Sequence, residues 1–139
     1  MIASERERLV APCGIDCGIC EMHLAGSRPE LLEALVAKGI PREKLPCRGC
    51  RNIGGECLVI PGTCATFLCT REHVVEFCHE CTEFPCARLN PAADRAEVLP
   101  HNLKVFNLSV IRREGVAGFV RHSADIRRRY CQGKMAIGQ

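Results

Sequence analysis

The sequence contains no tryptophan, one tyrosine and five phenylalanines, so it has few of the large side chains that fill a hydrophobic core. Its hydrophobic fraction of 47% includes twelve cysteines. A core built from the remaining aliphatic residues would be marginal for a chain of 139 residues. We therefore expect cross-links, either disulfides or metal ions, to supplement the core.

The sequence also lacks a long apolar run. No stretch approaches the ~20 apolar residues that span a bilayer, and residues 1–8 are charged, unlike a secretory signal peptide. We therefore expect a cytoplasmic location and no membrane partner. In the cytoplasm thiols stay reduced, so clustered cysteines predict metal ligands rather than disulfides.

Cysteine usage is far above the average for globular proteins. Eleven of the twelve cysteines precede residue 87, and the C-x-x-C pair occurs three times among them. Two such pairs, or one pair with two further ligands, suit a tetrahedral structural zinc site. Buried free thiols would explain one or two cysteines, but not eleven. The predicted metal ligands are Cys13, Cys17, Cys20, Cys47, Cys50, Cys57, Cys64, Cys69, Cys78, Cys81 and Cys86.

Eight cysteines fill two four-thiolate sites, so we expect two or more Zn²⁺ ions. The preferred first site consists of Cys17, Cys20, Cys47 and Cys50. The preferred second site consists of Cys78, Cys81 and Cys86 with either Cys64 or Cys69. Cys13 and Cys57 could substitute in these sets, whereas His73 and His79 are expected to be surface or supporting groups.

An iron–sulfur cluster is the alternative cofactor, because it also takes thiolate ligands. Cys13-x3-Cys17-x2-Cys20 has the spacing found in radical S-adenosylmethionine enzymes. Those enzymes need alternating strands and helices in a barrel of ~200 residues or more. The chain is too short for that fold, so we interpret the spacing as coincidental and keep a non-catalytic cluster open.

The predicted fold class is mainly α with irregular metal-bound loops: a small cysteine-rich zinc-binding domain plus C-terminal helices. We expect a single domain over 1–139, in which 11–90 is the cysteine-rich metal-binding part and 91–139 is a helical tail packed on it. Residues 46–64 are rich in Gly, Pro and Cys and predict a metal-wrapped loop. Cys57–Ile60 could form a short strand.

Several segments have helical patterns. A short helix is expected over about 17–25, ending at Gly26. Ser27-Arg-Pro-Glu30 has the spacing of a capping box before an apolar face that ends at Gly39. Another helix is predicted over 66–77, with Phe67, Val74 and Phe77 sharing a face. In the tail, two faces are predicted on either side of Gly115: Leu99, Leu103, Phe106 and Val110, then Val116, Phe119, Val120 and Ile126.

Three classes of function are compatible with the sequence. In the first, metal ions hold loops, such as Arg42–Arg51 with Gly54-Gly55, that present a surface to a partner protein. In the second, the arginine-rich segment 111–130, with a net charge of +4, contacts nucleic acid, although a solvated helix face explains it as well. In the third, an enzyme would use a reactive thiol or an open zinc site with Glu80 or Glu83 as base. We favour the first class over enzymatic activity, and we assign Asp16 to helix capping.

The motifs also resemble those of a known family. The run Cys13-Gly-Ile-Asp-Cys17-Gly-Ile-Cys20 resembles the opening of the domain-of-unknown-function 3795 family, small cysteine-rich proteins of bacteria and archaea. The resemblance extends over about 12–131, including Cys78-His-Glu-Cys81-Thr-Glu-Phe-Pro-Cys86 and Asn107–Gly115. It implies metal binding, presumed to be zinc, and no established activity. Family members often end with a second cysteine pair; here only Cys131 remains, which we expect to be a free thiol.

Overall fold

The computed structural model describes residues 2–139, so Met1, the first residue of the predicted domain 1–139, lies outside the described residues. The fold is mainly helical, as predicted. The α-helices are α1 (Glu5–Arg8), α2 (Glu21–Leu24), α3 (Pro29–Ala37), α4 (Ala65–Glu72) and α5 (Lys104–Gln132). Short 3-10 turns occur at Cys17–Ile19, Arg42–Lys44, Cys78–Glu80, Ala87–Leu89 and Pro100–Leu103.

The short strand predicted at Cys57–Ile60 is absent. Within residues 2–139 the extended pairing consists of an isolated antiparallel bridge between Val10 and Asp16, without a β-strand. The Ile60 N–H donates to the Cys57 carbonyl at 3.3 Å, so this segment turns instead of extending. Gly62, with φ of 70°, continues the irregular path towards α4.

The predicted helix starts and stops are partly correct. The expected helix over 17–25 is split, because Cys20 has extended backbone angles between the 3-10 turn and α2. The capping box is wrong: Arg28 precedes α3, and the Ser27 hydroxyl donates back to the Leu24 carbonyl at 3.3 Å. Gly39 closes α3 with φ of 99°, as expected. The sequence has the capping-box spacing, but the Ser27 hydroxyl bonds to the last residue of α2 instead of capping α3.

Helix α4 ends five residues before the predicted boundary. Its last residue is Glu72, and Val74 has a left-handed φ of 53° that stops the helix. Phe67 and Phe77 are buried, whereas Val74 is 89% exposed, so the predicted shared face is wrong for Val74. The early stop creates the sharp bend that returns the chain towards Cys78.

The tail contributes the largest part of the hydrophobic core. Helix α5 breaks at Gly115, which has φ of 80° and ψ of 169°, at the predicted junction between two helical segments. The core consists of Val10, Phe77, Leu89, Leu108, Ile111, Val116 and Phe119. It therefore joins side chains from 10–89 to both segments of α5.

The predicted face of the first segment is wrong for Phe106, whereas Leu103, Val116 and Phe119 are buried as expected. Phe106 is 56% exposed, and Leu108 and Ile111 are fully buried instead. The reason is a contact with the cysteine-rich part: the buried Asn107 amide donates to the Gly14 carbonyl at 2.9 Å. Asn107 thus lies against the Gly14 turn, and its neighbour Leu108 lies in the core.

None of the helices within residues 2–139 combines the length and the apolar composition that a membrane crossing requires.

Candidate metal centre

Seven of the predicted ligands lie on the turn at 13–20, on the loop at 47–57 and at the start of α4. We call them the first cysteine cluster: Cys13, Cys17, Cys20, Cys47, Cys50, Cys57 and Cys64. The Cys17 N–H donates to the Leu9 carbonyl at 2.9 Å. The Cys50 backbone N–H donates to the Cys17 sulfur. Two C-x-x-C pairs, thirty residues apart in sequence, are therefore in direct contact.

Gly49 allows this contact between the two pairs. Its φ of 92° is left-handed, and a Cβ at this position would lie 2.9 Å from a Leu9 methyl group and 3.7 Å from the Cys17 Cβ. A larger residue would therefore be strained and would push the 47–50 turn away from Cys17. The glycine in Cys47-Arg-Gly-Cys50 is thus required by the close approach.

Further hydrogen bonds fix the positions of Cys47 and Cys64 in the first cluster. The Cys47 N–H donates to the Met22 carbonyl at 2.9 Å, and His23 Nδ1 lies 2.7 Å from the Cys47 carbonyl oxygen. Since α2 follows Cys20 directly, these bonds place Cys47 beside Cys20. Farther on, the Gly55 carbonyl accepts from the Cys64 N–H at 2.8 Å, and the Gly55 N–H donates to the Cys50 carbonyl.

Without a cation, charged thiolates in the first cluster would be unfavourable, because they are buried and repel one another. Burial raises the pKa of the Cys17 thiol to about 12, and the thiolates of Cys13, Cys20 and Cys47 also raise it. Burial, followed by the thiolates of Cys13, Cys17, Cys64 and Cys57, raises the pKa of the Cys50 thiol. Several mutually repelling thiolates become favourable only beside a cation, because a coordinated thiol is deprotonated. The donor set therefore fits a thiophilic metal ion.

Asp16 anchors the turn that carries Cys17. Its carboxylate caps the 3-10 turn by accepting from the Gly18 N–H at 2.9 Å, as predicted. It also accepts two hydrogen bonds from the Arg6 guanidinium, at 2.9 and 2.7 Å, and one from the Ser123 hydroxyl at 2.6 Å. The nearly buried carboxylate thus fixes the first cluster to both α1 and α5.

Arg51 links three parts of the cysteine-rich region. Its guanidinium donates to the carbonyls of Val10 and Glu76, each at 2.8 Å, and lies 4.7 Å from the centroid of the Phe77 ring. The side chain directly after Cys50 therefore joins the opening turn to the segment before Cys78.

The other four predicted ligands surround one small cavity. We call them the second cysteine cluster: Cys69, Cys78, Cys81 and Cys86, which line a cavity of about 30 Å³. The structure thus brings Cys69, and not Cys64, to the last three cysteines. Burial, followed by the thiolates of Cys13, Cys86 and Cys69, raises the pKa of Cys78 to about 12. The Glu83 N–H donates to the Cys81 sulfur at 3.4 Å, which suits a thiolate.

Two further donors border the second cluster. His73, Cys81 and Glu83 place a nitrogen, a sulfur and a carboxylate oxygen all within 4.8 Å of one another. His73 Nδ1 lies 2.9 Å from the Cys69 carbonyl oxygen and 3.6 Å from the Cys69 sulfur, and Nε2 lies 3.2 Å from a Glu83 oxygen. The Cys69 carbonyl, then Glu83, raises the pKa of His73.

Sequence reasoning did not include His73 and Glu83 among the ligands. The positions of His73 and Cys69, four apart at the end of α4, could have indicated their proximity. The approach of Glu83 depends on the bend after Glu72 and could not be read from spacing. His79 stacks against the Phe77 ring with centroids 5.8 Å apart, as a supporting group would.

The arginines of 111–130 are partly engaged within the chain. Arg127 donates to the Ile19 carbonyl at 2.9 Å and pairs with Glu21, and Arg128 pairs with Asp125. These contacts give α5 a role in holding the Cys17–Cys20 turn. They leave less positive charge for nucleic acid than the sequence alone suggests.

A model for a family of proteins of unknown function, DUF3795, matches residues 9–91. The match includes all eleven predicted ligands and stops before α5, so it does not extend to the resemblance seen at Asn107–Gly115. No curated protein and no solved structure matches the chain. The match covers more than half of the sequence, and the chain belongs to the DUF3795 family.

Proposed function

We propose that the protein binds two or more zinc ions through cysteine thiolates, and that these ions hold its loops in place. The observation that carries the proposal is the second cysteine cluster. Its four cysteines come from α4, from the Cys78–Cys81 turn and from the segment before Ala87, and they are among the residues that line a cavity of about 30 Å³. A volume of this order suits one ion or one water molecule.

We assign one ion to Cys69, Cys78, Cys81 and Cys86. The other ion takes Cys17 and Cys50, which are in contact, together with two more members of the first cysteine cluster. Four thiolates per zinc agree with the preference of structural sites for closed tetrahedral sets. The Cys50 N–H donates to the Cys17 sulfur and the Glu83 N–H donates to the Cys81 sulfur, and both bonds favour charged sulfur.

The proposed role is that of a cytoplasmic structural or adaptor protein, in which the metal-held loops contact a partner protein. Most of the 57–63 segment is irregular, and Val59 and Ile60 are exposed there. Long irregular loops of this kind are costly to order without cross-links. Zinc ligation on both sides of the 57–63 segment, at Cys57 and Cys64 or their neighbours, would provide such cross-links.

Elemental analysis of anaerobically purified protein, combined with a visible absorption spectrum, tests the identity of the metal. We expect about two equivalents of zinc per chain and a colourless solution. A brown solution with iron and sulfide would assign the cysteines to an iron–sulfur cluster instead. Protein that folds without either metal would refute both assignments.

A double substitution tests the structural role. We expect Cys47→Ser with Cys50→Ser to lose one equivalent of zinc and to unfold at a much lower temperature, because metal-binding energy is folding energy in such domains. Circular dichroism during heating measures this change. If the variant melted like the parent, the first cluster would have no structural role.

A further inference from the structure

We propose that the second cysteine cluster exchanges its zinc ion with external acceptors, and that His73 and Glu83 serve as the transient ligands for this exchange. This inference rests on the proposed function, because it concerns the same ion. It adds a metal-transfer activity to a site that would otherwise be purely structural.

The first step of the argument is the number of donors. Zinc in a structural site takes four ligands, and the cavity at the second cluster is lined by four cysteines together with His73 and Glu83. The Cys81 sulfur, a His73 nitrogen and a Glu83 oxygen lie within 4.8 Å of one another. The cavity lining thus offers six side chains that can donate to an ion, of which a tetrahedral site uses four.

The second step is the mutual arrangement of His73 and Glu83. Nδ1 lies 2.9 Å from the Cys69 carbonyl oxygen, and Nε2 lies 3.2 Å from a Glu83 carboxylate oxygen. A proton on the imidazole or a cation beside it can each supply the positive charge that suits this contact. A metal cation can take the place of that proton here, because the His73 nitrogen and the Glu83 oxygen both lie within 4.8 Å of the Cys81 sulfur.

The third step is access from solvent. The side chains of His73 and Glu83 are 40% and 72% exposed, and Cys86 is the exposed member of the predicted ligands. In the first cysteine cluster, by contrast, the Cys17 turn is covered by α1 and α5 through the buried Asp16. An external acceptor can therefore reach the second cluster more easily than the first.

The chemistry is ligand exchange without a change of oxidation state. His73, through the lone pair of its neutral imidazole, or Glu83, through a carboxylate oxygen, would supply the ligand that replaces one thiolate on the ion. The departing thiolate takes a proton from solvent. Because the incoming ligand would hold the ion while the thiolate leaves, these two side chains would lower the barrier to release. An acceptor that offers nitrogen or oxygen ligands then removes the ion.

The test is the rate at which zinc-loaded protein transfers its metal to excess 4-(2-pyridylazo)resorcinol, followed by absorbance under reducing conditions. We expect a fast and a slow phase, with the fast phase missing from Cys81→Ser/Cys86→Ser. In His73→Ala/Glu83→Gln we expect the fast phase to slow by roughly tenfold, while the zinc content stays that of the parent.

The matched control is the exposed pair of His122 and Glu114, whose side-chain atoms lie 3.7 Å apart on α5. His122→Ala/Glu114→Gln should leave both phases unchanged. Circular dichroism checks folding of each variant. If His73→Ala/Glu83→Gln does not fold, Glu83→Gln alone changes one exposed side chain and should slow the fast phase by roughly threefold.

An unchanged fast phase in these variants would overturn the inference. So would a faster one, because it would make His73 or Glu83 a permanent ligand whose loss weakens binding. Release of both ions in one uniform phase would also overturn it. In each case a zinc content of two equivalents would leave the proposed function intact, whereas protein without zinc would refute that function itself.

Discussion

The two cysteine clusters differ in how the rest of the chain supports them. The first is surrounded by secondary structure: Asp16 ties its turn to α1 and α5, and Arg127 of α5 reaches the Ile19 carbonyl. The second lies at a bend with exposed histidine and glutamate side chains. The proposed roles follow this difference: a structural ion in the first cluster and an exchangeable ion in the second.

The largest expected effect separates the clusters by their contribution to folding. We expect Cys17→Ser/Cys50→Ser to abolish cooperative unfolding, because structural zinc binds with roughly 10 kcal/mol, comparable with the whole stability of a small domain. Cys81→Ser/Cys86→Ser should lower the melting temperature but keep a cooperative transition. Differential scanning calorimetry measures both, and equal damage from the two variants would erase the distinction.

Asp16→Ala tests the anchoring of the first cluster. It removes a nearly buried carboxylate that accepts from Arg6, Gly18 and Ser123. We expect a loss of about 3 kcal/mol in the free energy of unfolding, measured with urea, because the buried partners are left unpaired. Asp125→Ala breaks only an exposed pair with Arg128 and should cost less than about 0.5 kcal/mol. Similar losses would contradict the anchoring role.

A pair of glycine substitutions tests the contact between the two C-x-x-C pairs. Gly49 and Gly39 both have a left-handed φ, but a Cβ at Gly49 would lie 2.9 Å from Leu9, whereas nothing lies within 4 Å of one at Gly39. We expect Gly49→Ala to cost about 2–3 kcal/mol and Gly39→Ala about 1 kcal/mol. Urea denaturation would contradict the close approach if it gave equal costs.

The smallest expected effect concerns the cysteine outside both clusters. Cys131 lies in the last turn of α5 and is predicted to be a free thiol. We expect Cys131→Ser to change the unfolding free energy by less than about 0.5 kcal/mol and to leave the zinc content unchanged. Loss of zinc in this variant, measured by elemental analysis, would make Cys131 a ligand.

Some local features follow from the sequence, although the capping box at Ser27 does not. The capping role of Asp16 and the break at Gly115 depend on neighbouring residues, and both are correct. The buried face of α5 is set by Asn107, which bonds to Gly14 over a sequence separation of 93 residues. The spacing of apolar residues around Phe106 therefore could not predict this contact.

The grouping of cysteines shows the same limit. Sequence spacing identifies C-x-x-C pairs, but it cannot tell whether Cys64 or Cys69 joins Cys78. Hydrogen bonds through Gly55 draw Cys64 towards Cys50, and the bend at Val74 brings Cys69 to the second cluster. Which cysteines come together is thus determined by the path of the loops, and that path depends on glycines and turns more than on cysteine spacing.

The central claim is that sulfur–metal bonds hold the cysteine-rich part together. Thermal unfolding of the fully reduced protein, before and after removal of metal by a strong chelator, tests it most directly. We predict that the stripped protein loses its cooperative transition and regains it when Zn²⁺ is returned. A sharp transition at the original temperature in the reduced, metal-free protein would contradict the claim.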